Sequence, residues 1–308
     1  MKKSEITKQI KNKALELGFS DVGFSKSKEL VEERKNYSNW LNNEYHADMN
    51  YLANNFEKRF NPELLVENAK TIISVILNYY PNKTQNKNTL QISKYAYGRD
   101  YHKVVKNKLK KLTEYINTEI IDINYRFFTD SAPVLDRKWA QLSGLGWIGK
   151  NSLLINKKYG SYFFIGELII DVELEYDTPI KDACGTCTKC IEACPTQAIV
   201  QEKVIDANKC ISFLTIENKG EINEEFKSLF SNQIFGCDIC QDVCPWNNKL
   251  SATNEQDFQP KKELFSLTKK DWTNLNEKEF NTIFQASAVK RAKYEGLKRN
   301  INFATKTQ

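Results

Sequence analysis

Hydrophobic residues near the start of the chain recur every three to four positions, which is the spacing of one helix face. Ser4 offers a hydroxyl that can cap a first helical turn, and Gly18 is typical of a helix end. The pattern therefore predicts an N-terminal helix that begins at Ser4 and buries one side. The apolar positions on that side are Ile6, Ile10, Ala14 and Leu17.

Continuous apolar runs further along the chain predict strands. The run from Thr71 to Tyr80 is rich in β-branched residues, as in a strand buried on both faces. Shorter runs predict strands at residues 19–24, 123–128, 152–155 and 161–171, and helical patterns cover residues 30–60, 101–120 and 133–142. This alternation predicts an α/β (α+β) domain with a mixed sheet over residues 1–175.

Two further segments follow this domain. Residues 176–250 contain every cysteine of the chain and predict a ferredoxin-like module, and residues 251–308 predict a short, basic helical tail. The 308 residues are 41% hydrophobic, which is adequate for a real core. The longest apolar run is too short to cross a membrane, and the polar N-terminal helix does not resemble a signal peptide. We expect a cytoplasmic monomer with no membrane partner.

Charge is distributed unevenly along the chain. The net charge is +6, and an excess of basic residues over acidic ones lies in the last 48 residues. This end can be a surface for a phosphate-bearing partner or an ordinary solvated helix face. Lysine outnumbers arginine 38 to 7, so the few arginines are candidates for bidentate contacts.

The eight cysteines have the spacing of a bacterial ferredoxin that holds two 4Fe-4S clusters. A Cys-x-x-Cys-x-x-Cys loop provides three ligands to one cluster, and the cysteine before proline binds the other cluster. This arrangement assigns Cys184, Cys187, Cys190 and Cys244 to the first cluster. The second cluster receives Cys194, Cys210, Cys237 and Cys240. Disulfides are one alternative, but they need an oxidising compartment and the chain shows no secretory leader. Zinc is another, but zinc sites rarely use three cysteines in one short loop followed by Cys-Pro. The module indicates electron transfer without specifying a reaction.

Two stretches of the first domain carry candidate chemistry. Thr129–Arg137 follows a predicted strand, where ligands collect in α/β folds, and Asp130 lies within it. Gly144–Asn151 has three glycines, which allow close approach to a flat or bulky group, and Lys150 and Asn151 offer donors there. The glycine spacing is neither a Walker nor a Rossmann motif.

Taken together, the motifs resemble the epoxyqueuosine reductase family from about residue 5 to 303. They are Tyr97–His102, Thr129–Arg137, Gly144–Asn151, the cysteine pattern, Cys210–Glu217, Gly236–Asn247 and Arg291–Asn300. The chain is also similar, more distantly, to reductive dehalogenases. The resemblance implies a cobalamin-dependent enzyme that performs the last step of queuosine synthesis on tRNA. Many relatives continue into helical repeats, whereas this chain stops at Gln308.

The implied reaction needs two electrons and two protons, because an epoxide becomes an alkene and water. The clusters would relay electrons from an external one-electron donor, and a cobalt held in a corrin would accumulate them. The resemblance makes Asp130 the general acid, and we expect burial to raise its pKa. The alternative is that Asp130 caps the helix predicted to begin near Pro133.

The remaining site residues are expectations from the family motifs. No Asp-x-His-x-x-Gly motif is present, so we expect base-off cobalamin without a histidine ligand. The expected cobalamin contacts are Arg59, Tyr97, Asp130, Arg137, Lys150, Asn151, Ser212 and Asp238. The expected tRNA contacts are Lys290, Arg291, Lys293, Lys298, Arg299 and Asn300.

Two other functions stay open at this point. A reductive dehalogenase would act on a small organohalide, and such proteins usually carry a twin-arginine export signal that this chain does not show. A simple ferredoxin-type carrier would not need a large first domain. Cobalamin binding separates the carrier from the enzymes.

Overall fold

The computed structural model describes residues 2–305. Its helices are α1 Lys3–Glu16, α2 Val31–Asn42, α3 Phe56–Phe60, α4 Tyr101–Tyr115, α5 Asp136–Leu142, α6 Lys189–Glu192, α7 Ile211–Ile216, α8 Ile239–Asp242, α9 Lys262–Ser266, α10 Lys269–Asn274, α11 Glu277–Ile283 and α12 Lys293–Thr305. Its strands are β1 Asp21–Lys26, β2 Thr71–Asn78, β3 Gln91–Ile92, β4 Tyr125–Phe128, β5 Trp147–Ile148, β6 Leu154–Ile155, β7 Phe163–Ile170, β8 Ile199–Gln201, β9 Val204–Ile205 and β10 Gln233–Phe235. No helix within the described range is long and apolar enough to cross a membrane.

The central sheet has four strands in the order β1-β2-β7-β4. Every neighbouring pair in it is antiparallel. The prediction of a mixed sheet is therefore wrong for this sheet, because hydrophobic runs reveal strands but not their direction. A parallel pair does occur, but between β3 and β10 in a separate small sheet.

Alternating side chains of β2 pack on opposite faces of the sheet. Ile73 and Val75 join α1 and α4 in one core, whereas Ile72 joins Phe60 and Trp139 in another. All eight residues of β2 are buried, as the β-branched run predicts. The domain thus has three layers, with α1 and α4 on one face and α3 and α5 on the other.

Three helix boundaries of the structure can be compared with the predicted ones. Helix α1 begins at Lys3, one residue before the predicted cap Ser4. Helix α4 ends at Tyr115 and continues as a π-helical turn to Ile120, so the predicted helical stretch 101–120 is confirmed. Helix α5 begins at Asp136, three residues later than predicted.

The C-terminal segment packs into a core of its own. Buried side chains of α9 to α12, among them Trp272, Phe280 and Leu297, join Leu90, Ile92 and Tyr97 of the first domain. The backbone N–H of Asp100 donates to Ala286 O at 2.7 Å across the same boundary. The segment is helical as expected, but it is an integral part of the fold rather than a projecting tail.

Candidate active site and cluster-binding module

The structure brings the cysteines together in the two predicted sets. In the first set, burial and then the neighbouring thiols of Cys244 and Cys184 raise the pKa of Cys190. The thiol of Cys244 in turn interacts with Cys184 and Cys187. Cys244 therefore joins the three-cysteine loop although more than fifty residues separate them, as the interlocked arrangement requires.

The thiols of the second set also lie within electrostatic reach of one another. Burial, followed by the charges of Cys237, Cys210 and Cys194, raises the pKa of Cys240 well above its ordinary value. Burial likewise raises the pKa of Cys237 to about 12. These values describe thiols without iron, and binding to iron would deprotonate them.

The surroundings of the two sets differ. Trp147 packs against Cys184 and Cys244 in one apolar cluster, and its indole Nε1 donates to Cys184 Sγ at 3.4 Å. Cys210 and Cys237 border a separate cluster with Phe213 and Phe230. Hydrogen bonds to the sulfurs and burial both tune cluster potentials, so the two clusters occupy chemically distinct sites.

Within residues 2–305, no three cysteine, histidine or carboxylate side chains converge on a single ion. The two thiol sets therefore differ in geometry from a mononuclear site. Each ligand of a 4Fe-4S cube binds its own iron, so the sulfurs of one set stand apart around the cube.

Asp130 lies on the loop that follows β4. Its backbone has a φ of 58°, a left-handed conformation that aspartate tolerates better than most residues. The backbone N–H of Asp130 donates to Asp136 Oδ2 at 3.2 Å. Leu135, not Asp130, occupies the cap position of α5. The structure therefore excludes the alternative that Asp130 caps this helix.

Two donors converge on one oxygen of Asp130. The Tyr101 hydroxyl donates to Asp130 Oδ2, and His102 Nε2 lies 3.5 Å from the same oxygen. Partial desolvation alone would raise the pKa of Asp130, but these hydrogen bonds hold the pKa below its ordinary value. The predicted rise is therefore wrong for this structure, because the side chain is 64% exposed and has partners that stabilise its anion.

A second carboxyl supports this loop from inside. Burial and then the charge of Asp130 raise the pKa of Asp136 to about 7. Behind it, burial raises the pKa of Glu167 well above its ordinary value, and the charge of Asp136 adds to the rise. Glu167 Oε2 accepts from Ser74 Oγ at 2.7 Å, while Glu167 Oε1 and Asp136 Oδ1 have no hydrogen-bond partner.

Four of the expected cobalamin contacts lie close to the two cysteine sets. Asn151 Nδ2 donates to Cys240 O at 3.4 Å, and Asp238, between Cys237 and Cys240, accepts from Lys94 N at 2.8 Å. Half-buried Ser212 follows Cys210 by two residues. Lys150 pairs with Glu202 at 2.7 Å, and the cysteines of the first set contribute to its electrostatic environment.

The other expected contacts have partners within the first domain. Arg59 is buried, and its guanidinium donates to Leu52 O at 3.0 Å and Tyr51 O at 3.3 Å. Tyr97 is buried in the C-terminal core, where its hydroxyl accepts from the backbone N–H of Gln85 at 3.3 Å. Their observed contacts are those of positioning residues, and contact with a corrin stays a prediction for both.

Arg137 links the loop of Asp130 to the glycine-rich stretch. Its guanidinium donates to the backbone carbonyl of Ser152 and, at 3.1 Å, to Ser152 Oγ. Burial lowers the pKa of Arg137, and the charges of Asp136 and Asp130 oppose this change. The structure therefore places Arg137 and Asp130 in one electrostatic group.

The expected tRNA contacts divide into two groups. Arg299 donates to the backbone carbonyls of Leu214 and Asn218, and buried Asn300 donates to Thr215 O and Ile234 O. Lys298 donates to Thr273 O at 2.6 Å and Leu275 O at 3.2 Å. These three side chains are therefore committed to internal carbonyls.

The second group faces solvent. Lys293 is exposed, and the Lys290 side chain donates to the side chain of Asn281 and lies over the ring of Phe280. Exposed Arg291 forms a bidentate pair with Glu217, with distances of 2.9 and 2.8 Å. Lys290, Arg291 and Lys293 remain the predicted phosphate contacts.

Tyr51 lies within electrostatic reach of Arg291 in the C-terminal segment and of Asp130 on the loop after β4. Burial raises the pKa of its phenol, which also interacts with the charges of Glu217, Arg291 and Asp130. The side chain is nevertheless 49% exposed. Arg291 and Asp130 thus lie within electrostatic reach of each other, although 161 positions of sequence separate them.

The described side chains also bear on whether cobalamin fits without a histidine ligand. Both ring nitrogens of His102 face carboxylates, Asp100 Oδ1 at 2.8 Å and Asp130 Oδ2 at 3.5 Å. His46 packs against Trp40, with ring centroids 5.9 Å apart. The chain contains two histidines, and His46 Nδ1 is buried without a hydrogen-bond partner. The absence of a histidine ligand to cobalamin therefore stays a prediction.

Sequence reasoning missed His102, Tyr101 and Asp136 as members of this site. The motif Tyr97–His102 contains the first two, but only the folded chain brings α4 against the end of β4. Asp136 could have been found from the motif Thr129–Arg137, since it follows Asp130 on a short loop. Its burial beneath that loop depends on the packing of α5 against β7.

Comparisons with known proteins identify the family of this chain. The family model described as epoxyqueuosine reductase QueG, DUF1730, matches residues 59–131, and the 4Fe-4S double cluster binding domain matches residues 183–247. The chain is 55% identical to an epoxyqueuosine reductase of Cellulophaga algicola over 294 residues, covering 96% of both chains.

Solved structures show the same fold. One is epoxyqueuosine reductase with an epoxyqueuosine-modified tRNA-Tyr stem loop, at 29% identity and a TM-score of 0.90, covering 97% of this chain and 80% of that one. Another is epoxyqueuosine reductase from Bacillus subtilis with its catalytic aspartate loop swung out of the active site, at 28% identity and a TM-score of 0.88, covering 97% and 81%. From the extent of these matches, the chain belongs to the epoxyqueuosine reductase family.

Proposed function

We propose that this chain reduces epoxyqueuosine to queuosine in the anticodon loop of tRNA. The observation that carries the proposal is the position of Asp130. It is an exposed carboxylate beside a basic segment, and Tyr95 lies within electrostatic reach of both Asp130 and the cluster-loop residue Asp238. The similar structure that contains an epoxyqueuosine-modified stem loop supports the same substrate.

The two 4Fe-4S clusters supply electrons to this site. Reduction of the epoxide consumes two electrons, and each cluster transfers one at a time from an external one-electron donor. The second thiol set lies beside Asn151 and Asp238, so it is the nearer cluster to the proposed cofactor contacts. The first set then lies toward the donor.

Cobalamin would be held by Asn151, Ser212 and Asp238 on the cluster side and by Arg137 and Lys150 on the side of the glycine-rich stretch. When bound, it supplies a cobalt centre that can collect the two electrons. The side chains that would hold it are polar, and both ring nitrogens of His102 face carboxylates. Asp130 would supply a proton to the oxygen that leaves.

The basic residues of the C-terminal segment would hold the tRNA. Lys290, Arg291 and Lys293 provide phosphate contacts, which set position without reading sequence. A base from a single-stranded loop can be splayed out and stacked on an aromatic ring. Tyr51 is partly exposed between Arg291 and Asp130, so it can receive such a base at the entrance.

The test is anaerobic turnover with reconstituted clusters, cobalamin, a reductant and tRNA that carries epoxyqueuosine. The nucleoside should lose one oxygen by mass. Asp130→Asn should retain iron and cobalamin while turnover falls about 100-fold or more, because a positioned acid contributes at least that much. Wild-type turnover in Asp130→Asn would reject Asp130 as the acid. Absence of any mass change, together with activity on an organohalide, would favour a dehalogenase.

A further inference from the structure

His102 lies in the proposed site, although the general-acid step as stated does not use it. That step requires a proton on Asp130, yet Tyr101 and His102 stabilise the Asp130 anion. An acid held in its ionised form needs a neighbour that carries the proton until the substrate requires it. His102 is the neighbour whose ring nitrogen faces the same carboxylate oxygen.

The ring of His102 is fixed from three sides. Asp100 Oδ1 lies 2.8 Å from Nδ1, so this nitrogen carries hydrogen and the opposite one, Nε2, faces Asp130. The ring of Tyr101 stacks on the imidazole with centroids 4.1 Å apart and planes 26° apart. The ring of Tyr101 also stacks on the ring of Phe164 in β7, with centroids 4.1 Å apart and planes 4° apart.

The charged groups around His102 favour its protonated form. Asp100 and Asp130 face its two nitrogens, and the positive charge of Lys103 acts on Asp100. Arg137 acts on Asp130 rather than on the imidazole. Burial would lower the pKa of His102, but the two carboxylates raise it to about 9. The ring is therefore charged at neutral pH.

We propose that His102 holds a proton beside Asp130 and transfers it to Asp130 as the epoxide opens, with Asp100 fixing the ring in the donating orientation. This inference rests on the proposed role of Asp130 as the general acid. His102 is then a positioning residue that acts through Asp130 and does not itself touch the substrate.

Both protons that the reaction consumes can be accounted for along this path. The Nε2–H bond of the imidazolium breaks as an O–H bond forms on Asp130 Oδ2. That O–H bond then breaks as the departing epoxide oxygen takes the proton. Solvent recharges His102, whose side chain is 32% exposed, and water supplies the second proton. Both electrons come from the external donor through the clusters.

Asp136 is less suited to this task. Its carboxyl accepts the backbone N–H of Asp130, so its contact is with the main chain and not with the acid's oxygens. The Tyr101 hydroxyl does reach Asp130 Oδ2, but burial and then the charge of Asp130 raise its pKa far above neutrality. The neutral phenol therefore keeps its proton and serves to orient Asp130.

The chain has two histidines, which permits a direct measurement. Nuclear magnetic resonance of ¹³C-labelled histidine in the cluster-loaded protein should show two imidazole signals, assigned with His46→Gln and His102→Gln. In the wild type, His102 should titrate with a midpoint near its pKa of about 9. In Asp130→Asn the midpoint should fall to about 8 or lower, because an adjacent anion is lost.

Matched controls separate this effect from general changes. His46→Gln and Glu173→Gln should leave the titration of His102 unchanged, since Glu173 pairs with Lys3 beyond the opposite end of β4. An unchanged His102 midpoint in Asp130→Asn would overturn the proposal, whatever the activity of that variant.

The second measurement is the pH profile of turnover in His102→Gln. Turnover should fall about tenfold or more at pH 8 and approach that of the wild type near pH 5, where solvent can protonate Asp130. A uniform loss at all pH values would indicate a merely structural role and reject the proton path. If Asp130→Asn kept wild-type turnover, the proposed function would be rejected instead. The effect of Asp130 on the titration midpoint of His102 would still stand in that case.

Discussion

Asp130 combines an exposed carboxylate with a backbone conformation that few non-glycine residues adopt. Its φ of 58° is compatible with aspartate and asparagine, which tolerate the left-handed region better than alanine. The loop keeps this conformation because Asp136 accepts the backbone N–H of Asp130. The Asp130 side chain thus faces solvent, and the hydrogen bond to Asp136 holds its strained backbone in place.

This arrangement predicts different results for two variants of the same residue. Asp130→Asn should keep the loop ordered, whereas Asp130→Ala should also loosen it at a cost of about 1 kcal/mol. Hydrogen exchange of the amides at residues 129–134 would measure the difference. Equal protection in both variants would show that the loop does not depend on the tolerance of this residue for positive φ.

Glu167 carries a second residue-scale prediction. Burial raises its pKa well above the ordinary value, so the carboxyl holds a proton to higher pH in the fold than in the unfolded chain. A raised carboxyl pKa stabilises the folded state fully below the unfolded pKa. That stability declines as pH rises from the unfolded pKa towards the folded one. Glu167→Gln should therefore increase the free energy of unfolding more at pH 8 than at pH 5.

Urea denaturation of the wild type and Glu167→Gln at several pH values would measure this effect. Glu173→Gln is the matched control, because Glu173 is exposed and paired with Lys3 at 2.8 Å. If the wild type and Glu167→Gln had parallel pH profiles, Glu167 would be ionised in the fold and the assignment would be wrong.

At the scale of elements, the connection from residue 43 to 55 crosses from the first domain to the cluster module. Asn208 Nδ2 donates to Glu44 O at 2.9 Å, and Ala207 N donates to Tyr45 O at 2.8 Å. Three non-glycine residues of the connection have positive φ: Glu44, Ala47 and Asn55. Its backbone conformation is therefore determined by contacts with residues outside the connection more than by the φ preferences of its own residues.

Arg59 anchors the far end of this connection together with Tyr37, whose hydroxyl also donates to Leu52 O at 2.9 Å. Arg59→Ala should destabilise it by about 2 kcal/mol or more, because two backbone carbonyls lose a charged donor. Limited proteolysis within residues 43–55 should become faster, while Arg126→Ala, at a more exposed arginine, serves as the control. Unchanged cleavage in Arg59→Ala would show that other contacts hold the connection.

The same elements show what sequence can and cannot reveal. The β-branched run at Thr71 and the apolar spacing of α4 were sufficient, because their burial follows from local patterns. The direction of β4 and β7, and the start of α5, depend on pairing with residues far away. The roles of Arg299 and Arg59 were equally hidden, since only the fold brings carbonyl oxygens to their guanidinium groups.

At the scale of the whole molecule, the ligand pairing can be tested by iron content. Cys244→Ala should remove the cluster held by the distant loop Cys184–Cys190, so iron falls from about eight to about four atoms per chain. Cys194→Ala is the reciprocal variant and should remove the other cluster. Electron paramagnetic resonance of the reduced protein would identify which signal each variant lacks. Retention of both signals in Cys244→Ala would contradict the pairing.

The basic segment makes a prediction about salt. Arg291→Ala should weaken tRNA binding and reduce the slope of log affinity against log salt by about one, as expected for one lost phosphate contact. Arg299→Ala should instead lower stability, because Arg299 donates to internal carbonyls. An unchanged salt slope in Arg291→Ala would show that Arg291 serves only its pair with Glu217.

The interlocked thiol sets also constrain how the protein is made. Cys244 follows Cys190 by 54 residues, and Cys240, the last ligand of the other set, precedes Cys244 by only four. At ribosomal speeds the first three thiols wait about 3 to 11 seconds for their fourth partner. Neither cluster can be completed early, so both are closed almost together, once Cys240 and Cys244 have been made. During that interval the nascent chain exposes reactive thiols, and its yield should depend on how well the cell protects them from oxygen and stray metal ions.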